Sequence, residues 1–384
     1  MTDPLHVLWT PSWYPDTQYP LNGSFFLEQI NMLRSRHTDV GVINLTGKTL
    51  WHWRPQAATF DIGERTIRQQ VPTIPLGIGP GDRQLFAAVA RRTAKLYADQ
   101  FGVPEVIHAH STFPGAVVAH SLAKYWNIPY GITEHRPSEV SLPKRRWRNR
   151  LRRHVIQAAD FRLAVSTVFA RQLSETYGCD FATVTNPVPA HFFARERQPH
   201  DHYTFIHISN LERRKRVEEV IDAFALVQTN HPDIRLKIVG GQPDTLPGVQ
   251  AHAQRRGVSD FVIFTGPVSR SEIVNVLADT DCLVLVSAAE SAGVVFAEAQ
   301  SLGIPCIASD TPGGAYMVTQ ESGIVVPIDN PTALTNAMRH MVERGHAEYC
   351  PQKVRQQAWE RFGPDEFVRH HRQIYEYAIA THGS

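Results

Sequence analysis

The chain has 384 residues, of which 42% are hydrophobic and 20% charged, with a formal net charge of +2. This composition is typical of a soluble globular protein long enough for two domains, and the nearly balanced charge gives no general indication of nucleic acid as a partner. The lack of a basic leader and of any apolar run of about 18 residues predicts a cytoplasmic protein, or one that meets a membrane only at its surface.

The first half of the chain alternates short apolar runs with amphipathic helical segments. Helical spacing marks residues 25–36 and 115–127. The predicted buried strands are HVLW (6–9), VGVINL (40–45), VIHAH (106–110), YGIT (130–133) and FRLAVS (161–166). This alternation predicts a parallel, doubly wound sheet.

A strongly basic segment follows the YGIT strand. Residues 144–153 contain seven Lys and Arg, and Trp147, Leu151 and Val155 recur at helical spacing, which predicts an amphipathic helix. The helix could dock its apolar stripe on the first domain, or it could attract an anionic membrane or a pyrophosphate-linked lipid acceptor. A nucleic-acid groove is a third interpretation, but no aromatic stacking platform accompanies the charges. The candidate acceptor or membrane contacts are Lys144, Arg145, Arg146, Trp147 and Arg148.

The second half repeats the alternation of strands and helices. Its predicted strands are FIHIS (205–209), LKIVG (236–240), FVIFTG (261–266), CLVLVS (282–287) and PCIAS (305–309). The run Asn-Pro-Val-Pro at 186–189 can continue neither a strand nor a helix. We therefore predict two Rossmann-like α/β domains, residues 1–186 and 187–363, and a final helix, 364–384, that crosses back to the first.

Two glutamates bracket the start of a predicted helix in the second domain. Glu290 lies past the carboxyl end of the CLVLVS strand, the helix starts near Gly293, and Glu298 lies in its first turns. The unpaired N–H groups of a helix start suit a phosphate, and a carboxylate on each side can accept from the vicinal hydroxyls of a sugar or ribose. The alternative is that Glu298 is a solvated helix residue and Glu290 a helix-entry acid.

Three weaker motifs indicate other kinds of site. His108 and His110 share one face of a strand, but no third zinc ligand accompanies them. The DxD at Asp279–Asp281 directly precedes a buried strand, which favours a turn over a metal site. The glycines of GIGPGD (77–82) lack the third glycine of a dinucleotide loop, so we predict a loop that faces the acceptor. We expect no metal.

Several segments together carry a family resemblance. Glu290 and Glu298 form an E-x7-E pair, followed by SLGIPCIASDTPGG (301–314) and ESGIVVPIDNPTALTNAM (321–338) and preceded by FVIFTGPVSRSEIVNVL (261–277). In this order and spacing they resemble the large family four of retaining glycosyltransferases, over nearly the whole chain. The resemblance implies the GT-B fold, in which two Rossmann-like domains face a cleft.

The resemblance also implies the residues that hold a nucleotide-sugar donor. Glu298 would bind the ribose, Glu290 would lie by the donor sugar, and the amides of the helix start would contact phosphate or sugar. Lys215 matches the family's lysine for the diphosphate. The donor-site residues in this stretch are Glu290, Ala292, Gly293, Val294, Val295 and Glu298.

One position departs from the family pattern. Asn210 stands where the family places an arginine, and a neutral amide cannot replace a bidentate cation. Arg213, Arg214 or Arg216 could compensate, and Arg216 stands where the family commonly has glycine. We therefore expect Lys215 to carry most of the positive charge in this loop.

Four more positions follow from the resemblance. Gly23 matches a glycine that lets backbone approach the donor phosphate, or is a plain turn glycine. His135 matches the family's histidine that orients the donor sugar at the reacting centre. Main chain around Val268 could contact the base, and Ala292 could affect the choice of sugar.

The sequence thus predicts a retaining hexosyltransferase that moves a sugar from a UDP- or GDP-sugar to a lipid-linked glycan or polysaccharide precursor. Its catalytic residues would be His135, Lys215 and Glu290, and it would need neither cofactor nor metal. One alternative is a nucleotide-sugar epimerase on the same fold. The other is a noncatalytic membrane-surface adaptor that uses the basic helix at 144–155.

Overall fold

The computed structural model describes residues 4–16, 22–54, 56–73, 81–140 and 146–383. The chain divides into two compact units, residues 1–184 with 367–384 and residues 185–366. The first boundary lies two residues before the predicted one, because Thr185 Oγ1 donates to the carbonyl of Arg361 at 3.1 Å and the N–H of Val188 donates to that of Phe362 at 2.8 Å. These bonds tie residues 185–188 to the second unit.

The described residues of the first unit form one sheet of eight strands. The strands are β1 (Leu5–Pro11), β2 (Thr38–Thr49), β3 (Thr59–Asp61), β4 (Thr66–Thr73), β5 (Val106–His110), β6 (Tyr130–Glu134), β7 (Phe161–Ala164) and β8 (Ala182–Thr183). Their order is β3-β4-β2-β1-β5-β6-β7-β8, and only the β3–β4 pair is antiparallel. Strands β1, β2, β5, β6 and β7 confirm the five predicted strands of this half.

Helices cover this sheet, as expected for a parallel arrangement. They are α1 (Ser24–Arg34), α2 (Asp82–Phe101), α3 (Val117–Trp126), α4 (Arg146–Gln157) and α5 (Thr167–Tyr177). The sequence prediction did not name α2, although its buried residues recur at helical spacing, as Phe86, Ala90 and Tyr97 illustrate.

The described part of the second unit has a parallel sheet of six strands. They are β9 (Thr204–Ser209), β10 (Arg235–Gly240), β11 (Val262–Gly266), β12 (Cys282–Leu285), β13 (Cys306–Ser309) and β14 (Gly323–Val326), in the order β11-β10-β9-β12-β13-β14. The helices are α6 (Ala190–Ala194), α7 (Val217–Gln228), α8 (Leu246–Arg255), α9 (Ile273–Ala278), α10 (Val294–Ser301), α11 (Pro312–Met317), α12 (Pro331–Glu348) and α13 (Pro351–Phe362).

The last helix, α14 (Pro364–Thr381), belongs to the first unit from residue 367 onward. Phe367, Val368 and Tyr375 pack in the same apolar core as Val7 and Trp9 of β1. The indole N–H of Trp9 donates to the hydroxyl of Tyr375 at 3.2 Å. None of the helices in the described residues is long and apolar enough to cross a membrane.

Each sheet reverses its strand order at one point. In the first unit β1 lies between β2 and β5, and in the second β9 lies between β10 and β12. Loops that leave the carboxyl ends of strands at such a point diverge and form a crevice where ligands bind. The loops after β9 and β12 carry Lys215 and Glu290.

Candidate functional site

Lys215 and Glu290 meet at the switch point of the second sheet. The Nζ of Lys215 donates to Oε2 of Glu290 at 2.5 Å, and the two side chains are only 12% and 13% exposed. The backbone joins the same two loops, because the N–H of Ala288 donates to the carbonyl of Arg214 at 2.8 Å. A mostly buried ammonium group is thus held at the carboxyl edge of the sheet.

The helix start next to this pair has the geometry that the sequence predicts. Helix α10 begins at Val294, and Gly293 before it is left-handed, with φ +66°, a conformation that glycine adopts without strain. Gly313 packs against the loop so closely that a Cβ there would lie 2.7 Å from the amide nitrogen of Ala292. The N–H of Gly313 also donates to the carbonyl of Glu290 at 2.8 Å. The first amides of an α-helix have no partner within the helix, so those of Val294 and Val295 suit an anion.

Glu298 is buried in α10, which is inconsistent with the solvated-helix alternative. Its side chain is 2% exposed and forms an ion pair with Arg270, whose guanidinium also lies 5.5 Å from the ring centroid of Phe192. Arg270 begins a turn just after β11, two residues beyond Val268. The sequence predicts a carboxylate open to hydroxyls, whereas the structure pairs both Glu290 and Glu298 with a cation.

The loop after β9 shows which arginines could replace the charge missing at Asn210. The amide of Asn210 donates to Glu212 Oε1 at 2.7 Å, and Arg214 pairs with the other oxygen of Glu212 at 2.7 Å. Arg216 pairs with Asp329. Arg213 is exposed and makes no ion pair with the described residues, so it is the arginine most available to a ligand.

Arg216 has an unusual backbone conformation. Its φ of +53° and ψ of +39° are left-handed, a region in which a residue with a Cβ is disfavoured. This conformation accounts for the glycine that the family commonly has at this position. The two remaining predicted positions pack in the unit: Ala292 is buried, and Val268 is partly buried against the core.

In the first unit, the carboxylate of Glu134 organises the carboxyl edge of the sheet. Glu134 is 1% exposed at the end of β6. It accepts hydrogen bonds from Ser111 Oγ at 2.6 Å, from the N–H and Oγ1 of Thr112 at 2.9 and 2.8 Å, and from the N–H groups of His135 and Arg136, both at 2.9 Å. One buried carboxyl group is therefore hydrogen-bonded to both the loop after β5 and the loop after β6.

His135 is fixed by these bonds and by a neighbouring histidine. Its Nε2 lies 3.1 Å from Nδ1 of His110, and its ring packs among Trp13, Phe25 and Phe26. Burial is the main cause that lowers the pKa of His135 to about 4, with Glu134 opposing and the neighbouring arginine adding to the effect. The imidazole is therefore neutral at pH 7.

Two further histidines of this cluster, His108 and His110, are buried. His108 is fully buried, with one ring nitrogen 2.7 Å from the hydroxyl of Tyr375 and the other 2.7 Å from that of Thr133. Burial lowers the pKa of His108 and of His110 well below the usual value. Within the described ranges, no group of three or more His, Cys, Asp or Glu side chains could hold a metal.

Gly23 ends the loop before α1. Its φ is +76°, and a Cβ there would lie 2.8 Å from the ring of Trp13. Both the conformation and the close approach require glycine, which fits the turn interpretation.

The DxD motif is part of a charge network in the second unit. Asp279 pairs with Lys237 at 2.7 Å, and Asp281 pairs with Arg197 and His200, both at 2.6 Å. Both carboxylates are thus neutralised by cations, as expected for a structural turn.

The basic segment is described in part. Lys144 and Arg145 lie outside the described residues, as do residues 77–80 of the GIGPGD loop, whereas Arg146, Trp147 and Arg148 lie in α4, where only their backbone is described. Leu151 and Val155 of the apolar stripe are buried. Arg153, on the same helix, donates to the carbonyls of Thr176 and Tyr177 at 2.7 and 3.3 Å. The end of the helix is docked on its own unit.

Family models match most of the chain. The model of glycosyl transferases group 1 matches residues 190–358, and that of glycosyltransferase family 4 matches residues 24–192, so together they run from residue 24 to residue 358. The chain belongs to glycosyltransferase family four.

Curated relatives of this family-four enzyme are moderately similar. An N-acetyl-α-D-glucosaminyl L-malate synthase of Bacillus anthracis is 28% identical over 288 residues, which are 71% of this chain and 74% of that protein. A D-inositol 3-phosphate glycosyltransferase of Jonesia denitrificans is 27% identical over 283 residues, 66% of each chain. This chain therefore spans about two thirds of the second relative.

Solved structures show the fold of the enzyme. Anabaena HepE in complex with UDP matches this chain with a TM-score of 0.73 at 16% sequence identity. The matched region covers 97% of this chain and 100% of the HepE chain. The sucrose-phosphate synthase of Thermosynechococcus elongatus matches with a TM-score of 0.72 at 18% sequence identity, over 98% of this chain and 99% of the synthase chain. The predicted GT-B fold is confirmed.

The sequence does not predict two residues that contact the candidate site residues, Arg270 and Glu134. Arg270 lies within residues 261–277, which carry part of the family resemblance. The spacing of residues in that segment does not indicate that Arg270 is the partner of Glu298. Glu134 directly precedes His135, and its only signal was a carboxylate at the end of an otherwise apolar strand. A buried carboxylate must be hydrogen-bonded, so that signal could have identified it.

Proposed function

We propose that this glycosyltransferase moves a hexose from a UDP- or GDP-sugar to an acceptor, with retention at the anomeric carbon and without a metal. The observation that carries the proposal is the mostly buried Lys215 Nζ, held 2.5 Å from Glu290 beside the first amides of α10. A cation and a helix start together suit a departing diphosphate.

Lys215 and α10 would stabilise the charge that a metal otherwise neutralises. The partial positive charge of a helix start favours an anion by roughly 0.3–1 kcal/mol, and more where the site is partly buried. Donor binding would draw Lys215 from Glu290 toward the diphosphate, which frees the carboxylate for the sugar hydroxyls. We expect turnover to persist after treatment with a chelator, and its loss would contradict the metal-free mechanism.

Glu298 would bind the ribose of the donor. A carboxylate accepts two vicinal hydroxyls well, and its burial excludes competing water. Because Arg270 forms an ion pair with this carboxylate, the ribose would have to share or displace the guanidinium. Arg270 is therefore proposed as a second donor-site residue.

In the proposed reaction no side chain acts as nucleophile. The bond from the anomeric carbon to the diphosphate breaks while the acceptor oxygen attacks from the same face, and the departing phosphate oxygen takes the acceptor's proton. Neutral His135 would orient a hydroxyl of the transferred sugar, and Gly23 would let backbone approach the phosphate. Exclusion of water would protect the donor from hydrolysis.

For the acceptor we propose a lipid-linked glycan or a polysaccharide precursor, with the basic residues 144–148 as contacts at the inner membrane surface. A second candidate is a small hydroxy acid, favoured by the malate synthase relative. Incubation with each acceptor class and mass spectrometry of the products separates the two. Conversion of the donor to its epimer without transfer would instead support an epimerase.

The donor site is tested by a thermal-shift panel of UDP- and GDP-sugars, followed by titration of the best donor into Glu298→Gln. We expect an affinity loss of about tenfold, because a neutral amide is the weaker acceptor. Glu360→Gln, at an exposed position of α13, is the matched control and should bind as the wild type does. Unchanged affinity of a folded Glu298→Gln would contradict the ribose assignment, and a panel without any shift would contradict the donor proposal.

A further inference from the structure

A cavity of about 370 Å³ lies among the helices of the first unit. Helix α2 contributes Arg83, Ala87 and Arg91, α3 contributes five residues from Val117 to Tyr125, and α4 contributes Val155. Its volume is at the lower end of the range of small-molecule sites. No residue predicted for the donor site is among those that line it.

The lining of this cavity is strongly positive. Arg83, Arg91 and Lys124 line it, and no carboxylate does. None of the three forms an ion pair with another of the described residues, whereas most cations in the loops around the donor site do. Three clustered and uncompensated cations repel one another, so an anion that binds among them gains their combined attraction.

His120 is the buried polar side chain of the lining, at 7% exposure. The hydroxyl of Tyr130 donates to the carbonyl of Val155 at 2.6 Å and lies 3.0 Å from Nδ1 of His120. Because the hydroxyl proton is already used, Nδ1 must carry a proton and donate to the Tyr130 oxygen. The other ring nitrogen, Nε2, then has a bare lone pair. It is enclosed and has no partner among the described residues, so a ligand hydroxyl reaches it only when the side chains at this end of the cavity shift.

The surroundings of His120 keep its ring neutral. Burial is the main cause that lowers its pKa to about 4, and Lys124, His154 and Arg83 add to the effect. The ring of His154 on α4 lies 5.0 Å from it in an edge-on arrangement. An uncharged acceptor therefore lies among cations, a combination that suits a ligand with both negative charge and a hydroxyl proton.

We propose that this cavity binds a phosphate group that carries or adjoins a hydroxyl. The phosphate oxygens accept from Arg83, Arg91 and Lys124, and the hydroxyl donates to Nε2 of His120. Such a ligand is either a soluble polyol phosphate or the headgroup of an anionic phospholipid. The site is independent of the proposed donor site.

Arg91 and Arg92 allow a matched test of the site. Both are exposed arginines on α2, but only Arg91 lines the cavity. Glycerol 3-phosphate is titrated calorimetrically into the full chain at constant ionic strength. We expect Arg91→Ala to weaken binding about tenfold, because it removes a charge-assisted hydrogen bond, and Arg92→Ala to leave it unchanged. Equal effects of the two substitutions, or no saturable binding to the wild type, would overturn the proposal.

Inorganic phosphate and sulfate test the role of His120 without any substitution. Near neutral pH phosphate still carries a proton that it can donate, whereas sulfate is an acceptor only. A buried lone pair next to sulfate would stay unsatisfied, so we expect phosphate to bind about tenfold more tightly. Equal affinity for the two anions would refute the hydrogen bond to Nε2 and with it the proposed ligand class.

Vesicles identify the source of the phosphate. The protein is sedimented with phosphatidylcholine vesicles that contain or lack phosphatidylglycerol. Cosedimentation that Arg91→Ala reduces and Arg92→Ala does not would support the lipid headgroup. Binding of glycerol 3-phosphate without such cosedimentation would support the soluble ester, and the absence of both would refute the site.

Discussion

Replacement of Lys215 by methionine separates the structural role of the Lys215–Glu290 pair from its proposed chemical role. The substitution keeps the length of the side chain and removes its charge. It leaves the Glu290 carboxylate, 13% exposed, without its cation. Loss of one partner of a buried ion pair costs about 3–5 kcal/mol of folding free energy. We expect a value near the lower end of this range, because the remaining exposure of Glu290 allows some water to reach its carboxylate.

The chemical effect should be larger than this loss of stability suggests. Lys215 is proposed to stabilise the departing diphosphate, and loss of a preorganised charge contact of this kind costs about 3–4 kcal/mol in the transition state. We therefore expect kcat to fall by about 10²–10³ and the affinity for the free nucleoside diphosphate to fall by about tenfold. Release of the nucleoside diphosphate measures the first quantity, and calorimetric titration measures the second.

A second substitution distinguishes the two roles. Lys215→Met combined with Glu290→Gln removes both charges, so the free energy of unfolding, measured with urea, should recover while turnover stays low. Lys353→Met, at an exposed position of α13 outside the candidate site, is the matched control and should leave turnover unchanged. A folded Lys215→Met enzyme with turnover and diphosphate affinity close to the wild type would refute the assignment of Lys215.

Three further predictions concern the carboxyl edges and the buried histidines. Glu134→Gln replaces one acceptor oxygen by an amide NH2 group, which would face hydroxyl and N–H donors. The substitution should therefore lower the free energy of unfolding by about 3 kcal/mol. A decrease below about 1 kcal/mol would contradict the role of the five hydrogen bonds that Glu134 accepts. Gly313→Ala brings a Cβ within 2.7 Å of a backbone nitrogen in the loop that carries Glu290 and should reduce donor affinity, whereas Gly248→Ala, with open space around it, should not. Burial lowers the pKa of His207 and of His371 from 6.5 to about 4. Between pH 6.5 and pH 4 the unfolded chain therefore binds a proton at each histidine that the folded chain does not bind. The free energy of unfolding should be unaffected above pH 6.5 and should fall by up to about 3 kcal/mol per histidine as the pH decreases toward 4. Urea unfolding over this pH range should show that decline, and a flat profile would contradict it.

The sequence by itself determined the fold class and the location of the elements that carry Lys215, Glu290 and Glu298. Periodicity predicted all five strands named in each half, and the Pro-rich run at 186–189 placed the boundary within two residues. It also placed Glu290 on a loop and Glu298 on the helix that begins after Gly293. These features are local, because the apolar spacing, proline and glycine that cause them lie within the segments themselves.

The tertiary structure decided the partners of the charged groups. Lys215 and Glu290 are 75 residues apart, and His108 and Tyr375 are 267 apart. Arg270 forms an ion pair with Glu298, and Glu134 accepts five hydrogen bonds from two loops. Such contacts depend on the strand order of a sheet, which brings distant loops to one edge, and on side-chain rotamers that no residue spacing specifies. The sequence could therefore name residues of the candidate site, and only the folded chain could show which of them form ion pairs with one another.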